Sequence, residues 1–120
     1  MTLTVLALLA ALVAAPADIK GKWEGTVTSQ RPDGTTSETP ALLVLDQKDG
    51  AVTGTIGGSE TDQHPITSGS IDGSKVVIDA KQTNNDREFH LELTVENDEM
   101  KGTVKSGERT GQLTLRRRKE

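Results

Sequence analysis

Two histidines, the carboxylates around them and a basic run near the C-terminus are the side chains of this 120-residue chain whose types and spacing could do chemistry. His64 precedes Pro65 and follows Ser59, Glu60 and Asp62 within a few positions. An imidazole beside a carboxylate at a barrel mouth can serve as a general base. The competing reading is a surface histidine, because no nucleophile or metal-ligand pattern accompanies it. The local order Ser59, Glu60, Asp62, His64 matches no known triad, and triads are recognised by geometry. His90 stands between Glu88 and Glu92 at alternating positions, an arrangement that can hold a metal or form a solvated charged face. Zinc sites draw on further His or Cys ligands, and this chain has no cysteine. Asp46, Asp49, Asp72, Asp79 and Asp98 fall mainly at turn signals, without the Asp-x-Asp-x-Asp-Gly spacing of a calcium loop. Neither a phosphate loop nor a nucleophile elbow is present. No catalytic residue, metal ligand or cofactor is assigned on this basis.

The remaining chemistry is electrostatic. Arg116, Arg117, Arg118 and Lys119 end a chain of net charge −4. Alternate residues leave a strand on opposite faces, so this run reads as a solvated tail with one inward residue, Arg117. The acidic balance argues against a nucleic-acid partner, which calls for a basic face.

These side chains must be positioned by strands. Turn pairs recur at Asp33-Gly34, Asp49-Gly50, Gly57-Gly58, Asp72-Gly73, Asn84-Asn85, Asn97-Asp98 and Ser106-Gly107. Such pairs tolerate positive φ and suit tight hairpins. Seven turns imply eight strands, and the segments between them are rich in Val, Ile, Thr and Leu. Phe89, Leu91, Leu93 and Val95 alternate with Glu88, His90, Glu92 and Thr94, the pattern of a sheet with one face solvated. Leu113 and Leu115 alternate in the same way with Thr114 and Arg116, and Val76 and Ile78 flank one face past Asp79. Leu42-Leu43-Val44-Leu45 is apolar on both faces, which calls for a cover on its outside such as a leader helix or a partner subunit.

An apolar-x-Gly-Thr-apolar pattern occurs three times, at Trp23–Val27, Val52–Ile56 and Met100–Val104. In strand geometry the glycine shares the inner face with both apolar residues. There it permits a sharp bend or a close approach, which is how a sheet is curved into closure. The expectation is an all-β, eight-stranded antiparallel up-and-down barrel over residues 18–120. Its core is thin and aliphatic, since Trp23 and Phe89 are its aromatic residues and no disulfide can brace it. Eight strands enclose an interior that is just filled or holds one small ligand.

Before Asp18 no side chain is charged, and Leu3 to Ala15 are almost all Leu, Val and Ala. The run is shorter than the roughly 20 residues of a membrane-spanning helix. It ends in Ala15-Pro16-Ala17, which suits a signal peptidase cutting after Ala17. It lacks the Lys or Arg that normally precedes such a core, so a retained apolar helix packing in an oligomer or filament is the alternative for residues 1–17. Cleavage would leave no stable membrane span and a secreted or periplasmic product.

The segment Gly21-Lys22-Trp23-Glu24-Gly25 resembles the opening of lipocalin-type (calycin) barrels, where a tryptophan closes the base and an arginine of the last strand packs over it. The resemblance implies that role for Trp23 and, on the face shared with Leu113 and Leu115, for Arg117. The whole span from residue 18 is similar to a group of uncharacterised exported bacterial proteins with lipocalin-like domains. Shared features include Ile71-Asp72-Gly73-Ser74-Lys75-Val76, a turn before Met100-Lys101-Gly102-Thr103, and the terminal Leu115-Arg116-Arg117. The chain is shorter than true lipocalins and lacks their disulfide and the aromatics of their pockets. Streptavidin-like barrels share the eight-strand plan and a Val-Thr-Gly-Thr strand, but the tryptophans of their biotin site have no counterparts here.

Three classes of function follow. The first is an exported, non-catalytic binding module for a small apolar ligand or a protein partner. Its interior would be lined by Val27, Leu43, Ile56, Phe89, Leu91 and Met100. The second is a structural or assembly subunit using the retained N-terminal helix. The third is a small barrel enzyme, since fold alone does not decide chemistry.

Overall fold

A computed structural model describes residues 17–31, 33–82, 87–107 and 109–118. The apolar leader up to Pro16, the Asn84-Asn85 pair and Lys119 lie outside the described residues. Eight strands run in order: β1 (Gly21–Gln30), β2 (Thr36–Lys48), β3 (Ala51–Ser59), β4 (Asp62–Asp72), β5 (Lys75–Lys81), β6 (Glu88–Glu96), β7 (Glu99–Ser106) and β8 (Arg109–Arg117). Each pairs antiparallel with its neighbour in sequence, and β8 returns to β1 through Trp23↔Arg117 to Ser29↔Gly111, closing the barrel. The closed meander is the architecture implied by the lipocalin-like resemblance. No helix among the described residues is long and apolar enough to cross a membrane.

The inner faces form one apolar cluster. Trp23, Ile19, Val76, Ile78 and Met100 are fully buried within it, and Leu91, Leu93, Leu113 and Leu115 pack against them. Period-two alternation is thus what sorts this sequence into an apolar inside and a polar outside.

The three repeated glycines are required by how tightly the strands coil. A Cβ on Gly25 would run into the Thr114 carbonyl of β8, one on Gly54 into the Val44 carbonyl of β2, and one on Gly102 into the Glu92 carbonyl of β6. Every copy of the motif therefore presses against the backbone of a neighbouring strand, where any side chain would force the two apart.

Gly57-Gly58 departs from the turn expected of it. Both residues belong to β3, and the reversal occurs at Glu60-Thr61. A Cβ at Gly57 would strike the Asp62 carbonyl, so this glycine serves a close approach between β3 and β4. β4 carries register shifts against β3 and against β5, and such bulges sharpen local twist. The β2–β3 ladder ends at Leu42↔Gly57. Beyond it the β3–β4 hairpin swings over the outside of β1 and β2 as an arm.

That arm supplies the cover that Leu42 needs. Leu42 is 5% exposed although it points away from the core cluster. Gln63 Nε2 donates to the Leu42 carbonyl at 3.1 Å, and Glu60 accepts from Arg118 Nη1 at 2.6 Å and from Lys22 Nζ at 3.3 Å. Those two cations hold the Glu60 carboxyl below its ordinary pKa, Arg118 chiefly. Arg118 also faces Glu24 at 3.6 Å, so it clamps the arm and is no free tail.

Candidate functional site

The two ends of the barrel differ in how they are finished. At one pole the segment preceding β1 crosses the opening as a strap. Its Ala17 N–H donates to the Gly73 carbonyl at 3.0 Å, its Ile19 N–H donates to Gln47 Oε1 at 2.8 Å, and Gln47 Nε2 donates to the Ala17 carbonyl at 2.9 Å. Trp23 lies beneath and donates from its indole Nε1 to the Ile19 carbonyl at 3.0 Å. The Arg117 guanidinium sits 4.5 Å from the centre of the Trp23 ring. Its Nη1 donates to the Lys20 carbonyl at 2.5 Å, its Nη2 to the Asp18 carbonyl, and its Nε to Asp98 at 3.1 Å. One cation thus stacks on the indole while tying the strap and the β6–β7 turn to the end of β8.

The opposite pole has no such strap among the described residues. It is bounded by the far ends of β1 and β2, of β5 and β6, and of β7 and β8. Val27, Ile66, Phe89 and Val104 face inward there and remain only partly buried, packed on top of the core. The β6–β7 ladder stops at His90↔Lys105, although β6 begins at Glu88 and β7 runs on to Ser106. The wall is notched at this point. A cleft of about 430 Å³ opens beside Phe89 and Ala80, and its lining by Thr67, Asp79, Lys81, Glu88, His90 and Lys105 places it mainly on the outer wall at this rim.

The six residues assigned to the interior from sequence divide between these regions. Leu43, Ile56, Leu91 and Met100 lie in the buried cluster, each 7% exposed or less. Val27 and Phe89 lie at the open end. Sequence reasoning did not include Ile66 or Val104 among them. Val104 was within reach, because it closes the third copy of the glycine repeat on the inner face. The register shift between Ile66 and Ser68 concealed its direction.

His64 is not a surface residue. It sits inside β4, opposite the inward Ile56, with a side chain only 14% exposed. Nε2 lies 3.0 Å from Asp62 Oδ1, whereas Nδ1 is buried and has no hydrogen-bond partner among the described residues. Ser106 Oγ, also on an inward position at this pole, is likewise buried without a partner among them. Buried polar atoms are nearly always satisfied, and these two both lie at the open end. Ser59 turns instead to Thr61, at 3.2 Å, and Glu60 to the arm clamp.

His90 occupies the outer wall. Its Nδ1 lies 2.6 Å from Asp79 Oδ1 and its Nε2 3.2 Å from Glu92 Oε2. The Asp79 hydrogen bond chiefly, with help from Glu92, raises the imidazole pKa above its ordinary value. Both ring nitrogens are thereby engaged by carboxylates, and Glu88 takes no part in the group. Among the described residues no set of three or more His, Asp or Glu side chains is placed to hold a metal ion.

Among solved structures, the barrel is similar to that of a mutant of the fluorescent protein UnaG, with 16% sequence identity, a TM-score of 0.49, and an alignment covering 85% of this chain and 97% of that one. No protein-family model matches the chain, and neither does any curated protein. The closed-barrel assignment rests on the strand pairing itself.

Proposed function

We propose that this chain is an exported binding module that takes a small apolar molecule into the open end of its barrel. The observation that carries this reading is the asymmetry of burial. Inward apolar side chains are sealed at the strapped pole, whereas Val27, Ile66, Phe89 and Val104 stay partly accessible at the other end. An accessible concave apolar surface with a few convergent polar groups is what a small-molecule site requires. Leu43, Ile56, Leu91 and Met100 then form the floor on which a ligand rests. Export is the part that belongs to the N-terminal sequence, whose Ala15-Pro16-Ala17 end suits cleavage before Asp18.

Titration with 1-anilinonaphthalene-8-sulfonate tests the binding function. A saturable one-to-one fluorescence rise is expected, and Val104→Arg should suppress it while far-ultraviolet circular dichroism shows the barrel still folded. A rise that survives this substitution unchanged would place binding elsewhere, and no saturable rise would count against the function. Mass spectrometry of the native protein should find Asp18 at the N-terminus, and a retained leader would instead favour the assembly role.

A further inference from the structure

The open pole holds two buried polar atoms that find no partner among the described residues, and their chemistry restricts what can enter. His64 Nε2 faces the Asp62 carboxylate at 3.0 Å. An ionised carboxylate only accepts hydrogen bonds, so the proton of the neutral ring resides on Nε2. Nδ1 is then a bare acceptor, buried on the inner side of the barrel. Ser106 Oγ, on β7, can donate or accept. An acceptor buried without a donor is costly to the fold, and a ligand that supplies the donor recovers that loss.

We propose that the mouth selects an apolar ligand carrying a neutral hydroxyl group, an alcohol or a phenol, whose O–H donates to His64 Nδ1. This rests on the binding function proposed above and names its ligand class. Val27, Ile66, Phe89 and Val104 take the hydrocarbon part. A carboxylate of the same length is disfavoured. It brings only acceptors to an acceptor nitrogen.

The test compares 1-octanol, its methyl ether and octanoate on the full chain at pH 7.5, with ¹⁵N-labelled protein. Octanol should bind about tenfold more tightly than the ether, the factor expected of one net hydrogen bond. The His64 Nδ1 resonance should move on octanol addition in the direction of an accepted hydrogen bond, and stay in place with the ether. His64→Phe should abolish the preference for octanol while leaving ether binding intact. The nitrogen shift needs no substitution and so decides the question even if that variant fails to fold. Equal affinity for alcohol and ether, or tighter binding of octanoate, overturns the ligand class and leaves the binding function standing. Failure of all three compounds to bind removes both.

Discussion

Trp23 and Phe89, the two aromatic side chains of this protein, stand at opposite poles and in opposite circumstances. Trp23 is fully buried, hydrogen-bonded through its indole, stacked by Arg117 and roofed by the strap. Phe89 points inward from β6 next to a gap in the wall and keeps part of its ring accessible. The same inward strand position thus seals the barrel at one end and leaves it receptive at the other. What differs is the set of neighbours that complete it. Stability is concentrated where the chain supplies its own lid, and recognition is left to the pole where it does not.

The sharpest way to break this contrast is to truncate both rings. Trp23→Ala should cost about 3–5 kcal/mol in urea unfolding, the range for a large aromatic lost from a core. Phe89→Ala should cost about 1–2 kcal/mol, because less apolar area is withdrawn from water there. Similar losses at the two sites would mean that the mouth is as tightly packed as the base.

Gly102→Ala comes next. The new methyl would meet the Glu92 carbonyl across the β6–β7 ladder, and such overpacking costs about 1–3 kcal/mol. Amide exchange should accelerate in β6 and β7 more than in β1 and β2. A loss spread evenly around the barrel would argue against a local clash.

Arg117→Ala should destabilise by about 2 kcal/mol, as its charge-assisted bonds to the strap and Asp98 disappear. Arg116→Ala should stay within about 0.5 kcal/mol, because its bond to Glu99 is on the exposed face and surface pairs contribute little. Equal shifts in melting temperature would show that the strap is not held through Arg117.

The smallest effect lies on the outer wall. His90 is bonded to Asp79 on β5 and to Glu92 on its own strand, and lies opposite Lys105 on β7, while Glu88, two positions before it, makes no bond to the ring. Its pKa is higher in the folded chain, so its contribution is fully present below the ordinary histidine range and is lost as pH rises through the folded value. Stability relative to His90→Gln should therefore decline as pH rises above the ordinary histidine range, by about 0.5 kcal/mol or less for so exposed a group. An imidazole titrating at or below the ordinary value in an NMR pH series would contradict the pairing.

Much of this architecture was legible from residue order alone. Alternation in Phe89–Val95 and in Leu113–Leu115 announced the inward faces, and parity put Arg117 on the face of Leu113 and Leu115, while its partnership with Trp23 was implied by the resemblance to calycin barrels. The glycine repeat pointed to close approach of strands, which is where the neighbouring carbonyls lie. Harder to read was anything that depended on bulges. Gly57-Gly58 carries the composition of a turn, yet a tightly coiled ladder asks for the same residues. The register shifts of β4 reorient Ile66 and His64, and local periodicity cannot report a shift that is fixed by pairing with another strand. Asp79 and His90 are eleven positions apart, and only the β5–β6 register brings them together. Leu42 called for a cover, and the cover came from the chain's own hairpin.

The strap at the closed pole also sets a direction. Ala17 and Arg118 both leave the barrel beside Trp23, on the side away from Phe89 and the notch. Any tether attached ahead of Ala17, whether an anchor, a surface or a fused domain, would hold the barrel by its sealed end. The opening would then face outward, like a cup fixed by its base, and immobilisation through the N-terminus should leave access to the mouth unimpeded.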